Sequence, residues 1–380
     1  MITEPLYFDY CATTPCDQRV VEEMLPYFTR HYGNTASRDH GFGWLAKEAA
    51  EQAREQVAHL IQASPKQIVF TSGATEAINL ALKGLAETST SKNKGNHIIT
   101  AKTEHTAVLD TCAYLEEKGF SVTYLSTDAY GMISLDELEQ SIRQETICIA
   151  LMYANNETGV IHPVKAIGAI ARKHGVCFMC DATQAVGKIP VNAADIDLMP
   201  FSAHKLYGPK GVGALYVRDN KTILQQLHGG AHERGNRSGT LNTPGIVGFG
   251  KAAELCSREK ENSILRDKME QELLELLPGS FVNGGSHRLP HVSNILFPGI
   301  DSEQLLLSVS KHLALSRGSA CSGIVQQPSH VLMAMGLTQE NARNSIRISL
   351  GRFTKEEDVN FAVSLLTETV RKLQLVYERD

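Results

Sequence analysis

Short apolar segments alternate with amphipathic segments through the first half of this chain. The apolar segments suit buried strands, whereas the segments between them, such as residues 44–63 and 106–118, have the periodicity of surface helices. Strands and helices in this order build a mostly parallel sheet covered by helices, because parallel neighbours need a crossover connection. The apolar segments are residues 67–70, 97–100, 122–125, 147–152 and 176–180.

The length of the chain and a change of pattern in its second half predict two domains. A chain of 380 residues exceeds the size that one hydrophobic core usually serves. After a helical stretch near residues 245–277, short strand-like segments lie between helices, as in a small α+β domain. These later segments are residues 291–297, 313–316 and 345–349. We therefore expect a large α/β domain that ends near residue 255 and a smaller domain after it.

Composition argues against several classes of protein. A formal net charge of −5 gives no electrostatic reason to expect nucleic-acid or membrane binding. No apolar run approaches the roughly 18 residues of a membrane span, and the N-terminus lacks the basic start and apolar core of a signal peptide. Eight scattered cysteines, several in apolar strands, suit a reducing compartment better than a disulfide framework. The expected location is the cytoplasm.

Lys205 lies at a sharp turn after a short apolar run, and glycines and a proline follow it. A lysine amine forms an imine with an aldehyde, and pyridoxal 5′-phosphate (PLP) is the commonest aldehyde cofactor. Most lysines beside glycine turns are solvated, so this position alone decides little. Asp181 ends the buried run 175–180, where an acid points into the ligand crevice of an α/β protein. A carboxylate there keeps a pyridine nitrogen protonated, so the two residues together predict a PLP site.

Three further segments follow predicted strands. Residues 71–76 are small and precede a helix, so their N–H groups suit a phosphate, although an ordinary capped helix fits equally well. His105 also follows a strand, a position at which a histidine is usually structural or solvated. Residues 155–159 have the composition of a turn. The residue types alone leave these three sites open.

Cys177 and Cys180 have a spacing that suggests a metal or redox site, but we reject that interpretation. Residues three apart on a strand point to opposite faces of the sheet, and apolar residues lie between these two. Buried structural cysteines explain the pattern better, and we predict no metal site. Cys11 and Cys16 have no histidine or cysteine partner near them in the sequence, so we assign them no role.

Two glycine-rich segments and one strand residue suit a functional site but also suit the surface. Residues 228–240 are too polar to build a core, so they form either a site loop or a solvated loop. Cys321 lies in a Gly- and Ser-rich segment, where an exposed thiol is either a nucleophile or incidental. Arg347 alternates with apolar residues on a strand, so it would face away from them and either hold a carboxylate or form a surface ion pair.

Two motifs carry a resemblance to a known family. Residues 181–184, Asp-Ala-Thr-Gln, followed by residues 202–211, Ser-Ala-His-Lys-Leu-Tyr-Gly-Pro-Lys-Gly, resemble the PLP-dependent cysteine desulfurases of the class V aminotransferase family, of the NifS and IscS type. The resemblance extends from residue 7 to residue 351. It implies fold type I of the PLP-dependent transferases, an α/β fold with a mostly parallel seven-stranded sheet in a large domain over residues 15–255. Residues 1–14 would then join residues 256–380 in the small α+β domain, which carries the cysteine loop.

The resemblance also assigns roles to residues of the site. It implies that Lys205 holds PLP and moves the substrate's α-proton, that Asp181 pairs with the pyridine nitrogen, and that Cys321 receives the sulfur. His105 would stack on the ring and serve as an acid–base group. The other implied contacts are with the PLP phosphate (Ala74, Thr75, Ser202, His204 and, from the neighbouring subunit, Thr240), with the phenolic oxygen (Asn156, Gln184) and with the substrate (Arg347 on its carboxylate, and Asn156).

The implied activity is removal of sulfur from L-cysteine, which yields L-alanine and a persulfide on Cys321. The sulfur would pass to an acceptor protein in iron–sulfur cluster assembly, tRNA thiolation or DNA phosphorothioation, and the residues do not choose among these. The resemblance further implies a homodimer with shared active sites. The alternatives are a selenocysteine lyase, another class V PLP lyase such as a cysteine-sulfinate lyase, a transaminase, or an inactive scaffold. A thiol at residue 321 argues against a transaminase, which needs none, and the whole set Lys205, Asp181, His105 and Cys321 argues against a scaffold.

Overall fold

A seven-stranded, mostly parallel sheet forms the centre of the fold. The computed structural model describes residues 4–92, 94–219, 222–256, 260–317 and 327–377. Its strands are β1 (Leu6–Tyr7), β2 (Ile68–Thr71), β3 (His97–Ala101), β4 (Ser121–Leu125), β5 (Thr146–Ala150), β6 (Cys177–Met179), β7 (Leu198–Ser202), β8 (Gly213–Val217), β9 (Phe281–Val282), β10 (Val292–Leu296), β11 (Leu313–Ala314) and β12 (Ser345–Ser349). The large sheet has the order β2-β8-β7-β6-β5-β3-β4, and among these strands β8 alone runs antiparallel to its neighbours. The predicted α/β class and the predicted sheet are confirmed.

The helices have capping residues at several of their ends. They are α1 (Gln18–Met24), α2 (Pro26–Thr29), α3 (Gly41–Leu60), α4 (Ala74–Ser91), α5 (Thr106–Glu117), α6 (Leu135–Gln140), α7 (Val164–His174), α8 (Thr243–Glu254), α9 (Lys260–Leu276), α10 (Ser302–Val309), α11 (His330–Ala334), α12 (Gln339–Arg343) and α13 (Glu356–Tyr377). Asp17 and Asp301 cap α1 and α10 by accepting hydrogen bonds from N–H groups of the first turn. Gly175 ends α7 with φ 69°, a left-handed conformation that costs glycine little. In contrast, α4 begins after Gly73 without a side-chain cap.

Helices cover both faces of the large sheet. One apolar cluster lies between the sheet and α3, α7 and α8, and a second lies between the sheet and α4 and α5. Cys180 packs in the first cluster and Cys177 in the second. The two thiols therefore lie on opposite faces, as their spacing on a strand predicts.

A separate apolar cluster joins the N-terminal segment to the last third of the chain. Phe8 packs in this cluster with residues of α9, α10, α13, β10 and β12. In the same region β1 pairs with β11 in parallel, and β12, β10 and β9 form an antiparallel sheet. The packing of Phe8 supports a small domain that includes the N-terminal segment, but the domain boundaries stay a prediction.

The described ranges contain neither a membrane-spanning helix nor a cluster of metal ligands. No helix there is both long enough and apolar enough to cross a membrane. In the same part of the chain, no group of three or more His, Cys, Asp or Glu side chains is placed to hold a metal ion.

Candidate active site

The predicted site residues converge at one edge of the large sheet. Parallel strands present their carboxyl ends at the same edge, so the segments that follow β2, β3, β5, β6 and β7 meet there. These segments carry Thr75, His105, Asn156, Asp181 and Lys205. This edge is therefore the candidate active site.

Lys205 lies on a short 3-10 turn, Ala203–Lys205, directly after β7. Its Nζ donates hydrogen bonds to the backbone carbonyl oxygens of Cys11 at 2.6 Å and Ala12 at 2.7 Å. Burial lowers the pKa of Lys205 to about 8, because a charged amine is costly to keep away from water. A larger fraction of the amine is therefore neutral near pH 7, and the neutral amine is the form that attacks an aldehyde.

Asp181 is buried directly after β6. Its Oδ1 accepts hydrogen bonds from Thr183 N at 2.9 Å and from Thr183 Oγ1 at 2.5 Å. Because Thr183 engages Oδ1, Oδ2 is the oxygen left to pair with an N–H group of a ligand. The charge of Asp181 acts on the pKa of both Lys205 and His105, in each case against the larger effect of burial. The three side chains therefore interact electrostatically at a single site.

His105 is the N-cap of α5, and its Nδ1 accepts a hydrogen bond from Ala107 N at 3.1 Å. In the neutral ring the proton must then be on Nε2, which makes that nitrogen a donor. Burial lowers the pKa of His105; Asp181 opposes this effect, whereas Lys205 and His330 add to it. At neutral pH His105 is therefore an uncharged ring with an N–H group at Nε2.

The start of α4 has the geometry of an anion site. With no side-chain cap at Gly73, the first N–H groups of the helix are left for another acceptor. A Cβ on Gly213 would lie 2.7 Å from the Cα of Gly73, so β8 packs backbone against backbone on this turn. A Cβ on Gly73 would lie 3.9 Å from Ser202 Oγ, which brings a hydroxyl to the same place. These positions are consistent with the predicted phosphate contacts of Ala74, Thr75 and Ser202, which stay predictions.

Three other predicted cofactor contacts make hydrogen bonds within the protein. Gln184 Nε2 donates to the Cys11 carbonyl oxygen at 3.0 Å, the same oxygen that Lys205 contacts. His204 Nδ1 lies 3.0 Å from Thr13 Oγ1, and burial lowers the pKa of His204 to about 4. Asn156 is half-buried beside the site. The roles of these three residues toward a cofactor stay predictions.

Arg347 is buried on β12, so the surface ion pair considered for it is wrong. The residue is 3% exposed. Its Nη2 donates to Asp9 Oδ1 at 2.6 Å, and its Nη1 donates to the Asn156 carbonyl oxygen at 2.8 Å. The N-terminal segment covers the strand at this point, which the local alternation of residues does not reveal. A carboxylate partner is therefore already part of this site.

The glycine-rich segment before α8 is anchored at the sheet edge next to β2. Glu233 is buried, and its carboxylate accepts hydrogen bonds from Arg54 at 2.7 and 2.8 Å. Arg237 Nε donates to Glu76 Oε1 at 2.8 Å, which ties the segment to the first turn of α4. Thr240 is exposed in the single chain. Hydrogen bonds to Arg54 and Glu76 therefore fix this loop against the large sheet and α4, so it is not a freely solvated loop.

Comparison with known proteins agrees with this geometry. The family described as aminotransferase class-V matches residues 6–361. The chain belongs to the class-V aminotransferase family. Among its class-V relatives, a cysteine desulfurase IscS from Anaeromyxobacter dehalogenans (strain 2CP-C) is 51% identical over 380 residues, which cover 97% of this chain and 93% of the relative.

Solved structures are similar to this chain over nearly the same length. One described as a NifS-like protein has a TM-score of 0.90 and 39% identity, with 97% of this chain and 100% of that chain covered. Another, SspA in complex with cysteine, has a TM-score of 0.82 and 39% identity, with 92% and 99% covered. These matches confirm the fold that the two sequence motifs predict.

Class-V aminotransferases depend on PLP, and the residues at this edge fit that cofactor. Asp181 offers a free carboxylate oxygen for a pyridine nitrogen, and Lys205 offers an amine of lowered pKa for an aldehyde. The uncapped start of α4 offers N–H groups for a phosphate. A charged acid, an amine and an anion site at one strand edge match the three polar ends of PLP.

Some residues of the site have no motif in the sequence. The carbonyl groups of Cys11 and Ala12, which accept from Lys205, carry no side-chain signal, because every residue has a carbonyl. Asp9, which pairs with Arg347, follows an ordinary strand. Ser329 and His330 were not predicted and contact the loops of β5 and β3. Cys321, the predicted nucleophile, lies outside the described residues.

Cys11 has no histidine or cysteine partner near it in the sequence, but the fold places a histidine beside it. Cys11 Sγ lies 3.8 Å from His291 Nε2, although 280 residues separate the two in the chain. Burial raises the pKa of the Cys11 thiol, so it is held as a neutral thiol in the wall of the site.

Proposed function

We propose that the chain is a cysteine desulfurase that uses PLP to move sulfur from L-cysteine to Cys321 and releases L-alanine. The sulfur then passes from Cys321 to an acceptor protein. The observation that carries the proposal is the convergence of Lys205, Asp181 and His105 at the carboxyl edge of the large sheet, where burial also lowers the pKa of Lys205.

PLP, when bound, supplies an electron-withdrawing ring that makes a bond at the substrate's α-carbon easier to break. Asp181 would hold the ring nitrogen through Oδ2, and His105 would lie beside the ring. The first N–H groups of α4 at Ala74 and Thr75, together with Ser202, would hold the phosphate. His204 would contact the same phosphate, and Gln184 and Asn156 would hold the phenolic oxygen.

Arg347 would bind the carboxylate of L-cysteine, since a guanidinium forms paired hydrogen bonds with that group. Asp9 already accepts from Nη2, so the substrate has to share or replace this contact. The Asn156 carbonyl holds the other terminal nitrogen and keeps the guanidinium in place. Asp9 and Asn156 therefore orient the residue that selects an α-amino acid.

The remaining groups move protons and sulfur. Lys205 would take the α-proton, for which a neutral amine is required. The Cys321 thiolate would attack the substrate sulfur, so that an S–S bond forms and the C–S bond breaks. A proton delivered to the β-carbon and another to the α-carbon then complete L-alanine. His105 presents Nε2–H in its resting tautomer, which supports a first role as hydrogen-bond donor.

Replacement of the nucleophile tests the activity. The variant Cys321→Ala should keep the visible absorbance of bound PLP and release neither alanine nor sulfide from L-cysteine with a thiol reductant. Cys16→Ala, which removes a half-buried thiol, is the matched control and should retain both. Normal alanine release by Cys321→Ala would show that another group receives the sulfur. Faster turnover of selenocysteine than of cysteine would favour a selenocysteine lyase.

We also propose a homodimer in which the partner subunit's Thr240 completes the phosphate site. The exposure of Thr240 in the single chain supports this. Mixed dimers of Lys205→Ala and Thr240→Val subunits test it, because a shared site would recover one intact active site from two impaired parents. No recovery would show that Thr240 serves its own subunit. No disulfide joins the cysteines of the described ranges, which supports the proposed cytoplasmic location.

A further inference from the structure

Ser329 and His330 contact two of the loops that carry the site. His330, the first residue of α11, has its Nε2 2.9 Å from the Glu104 carbonyl oxygen. Ser329 Oγ donates to Glu157 Oε2 at 2.5 Å. Glu104 directly precedes His105, and Glu157 directly follows the predicted site asparagine. The start of α11 therefore joins the loop after β3 to the loop after β5.

The contact with Glu104 determines where His330 carries its proton. A carbonyl oxygen only accepts hydrogen bonds, so Nε2 of His330 must be the donor. This bond holds the peptide group just before His105. His105 in turn has the extended conformation of an N-cap, φ −63° and ψ 147°, in which Nδ1 accepts from Ala107 N. The orientation of the His105 ring therefore depends on a peptide that His330 holds.

Buried acids strengthen the same junction. Glu104 and Glu157 are 0% and 1% exposed. Glu104 Oε1 accepts a hydrogen bond from Met152 N at 2.7 Å, which joins the two loops a second time. Hydrogen bonds sheltered from water in this way are stronger than exposed ones and leave little freedom to the groups they join.

We propose that His330 is a positioning residue for His105: its Nε2–H bond to the residue 104 carbonyl holds the loop so that His105 presents its own Nε2–H to the cofactor and substrate. The inference rests on the proposed function, which places His105 beside the PLP ring. It adds to the site His330, which lies 226 positions away in the chain from Glu104, the residue whose carbonyl oxygen it contacts.

Three variants of His330 distinguish the effect of losing its N–H donor from the effect of losing the volume of its ring. His330→Phe keeps an aromatic ring without a donor, His330→Leu removes both, and His330→Gln restores an N–H group close to the position of Nε2. The control is His312→Leu, because His312 is exposed outside the site and its ring lies beside the ring of Phe361. All four proteins are compared as holoenzymes with wild type for kcat and KM, and in the cofactor-free form for amide hydrogen exchange.

Loss of the donor should lower kcat for L-cysteine about tenfold or more and leave KM nearly unchanged, because the chemistry loses its orientation while the carboxylate site is intact. His330→Gln should recover most of the loss, and exchange in residues 104–108 should be faster in His330→Phe and His330→Leu alone. Wild-type kinetics in His330→Phe would overturn the proposal, as would an equal loss in the glutamine variant. If wild type itself yields no alanine, the proposed function fails, but the exchange result still decides whether His330 holds the loop.

Discussion

The guanidinium of Arg347 and the carboxylate of Asp9 are joined by a hydrogen bond of 2.6 Å between Nη2 and Oδ1. Arg347 is buried, whereas the Asp9 side chain is one-fifth exposed. A buried guanidinium needs an anionic partner, because an unpaired charge away from water is strongly destabilising. Asp9 supplies that partner before any substrate carboxylate arrives.

Removal of the guanidinium should weaken the binding of L-cysteine. Charge-assisted hydrogen bonds contribute about 1.5–3 kcal/mol, so Arg347→Met should raise KM about 10- to 100-fold. Steady-state kinetics with L-cysteine measure the change. Cysteamine lacks the carboxylate and serves as a control ligand. Its inhibition constant as a competitor of L-cysteine should be the same in the wild type and in the variant. An unchanged KM would mean that Arg347 does not bind the substrate.

The lowered pKa of Lys205 should govern how fast the cofactor-free protein takes up PLP. Only the neutral amine reacts with an aldehyde, so below the pKa of about 8 the uptake rate should rise roughly tenfold per pH unit, and above it the rate should level off. The gain of visible absorbance after stopped-flow mixing measures the rate. The same assay with Nα-acetyl-lysine corrects for the protonation of PLP itself. If the uptake rate of the protein instead levelled off near pH 10, burial would not have lowered the pKa of Lys205.

The close approach of β8 to the start of α4 predicts a specific effect of a single methyl group. A Cβ on Gly213 would lie 2.7 Å from the Cα of Gly73, so Gly213→Ala should displace the phosphate turn and weaken PLP binding about tenfold or more. Gly211→Ala is the matched control. No atom lies within 4 Å of its added methyl group, although φ is +78°. It should cost about 1 kcal/mol in stability through backbone strain and leave the dissociation constant of PLP unchanged. Equal PLP affinity in both variants would contradict this account of the site.

Removal of one partner from the buried pair Arg54–Glu233 should destabilise the protein, because the other charge is then buried without a partner. Glu233→Gln leaves the Arg54 charge buried beside a neutral partner and should lower the free energy of unfolding by about 3–5 kcal/mol. Glu51→Gln, which removes the exposed partner of the same arginine, should cost about 1 kcal/mol or less. Urea unfolding of the cofactor-free protein measures both. The double variant Arg54→Met with Glu233→Met should be more stable than Glu233→Gln, since no buried charge is then unpaired; the reverse order would be inconsistent with this explanation.

The strands and helices of the large sheet could be predicted because their periodicity is local. Each predicted strand agrees with its observed bounds to within two residues at either end. The alternation of strands and helices implies parallel pairing, and parallel pairing brings the carboxyl ends of strands to one edge. Asp181 and His105 follow those ends in the sequence, and Lys205 follows β7 on a turn, so their convergence was predictable from order alone.

The sequence by itself determined the elements, the edge at which the site lies and the residue types that PLP chemistry needs. The tertiary structure decided which distant segments complete that edge: Cys11 beside Lys205, Asp9 beside Arg347 and His330 beside Glu104 are 194, 338 and 226 positions apart. Two of these contacts end on backbone carbonyl oxygens, which every residue possesses, so no residue type marks them. Periodicity acts over a few residues, whereas these contacts depend on how separate apolar clusters pack and on where the N-terminal segment and α11 contact the site.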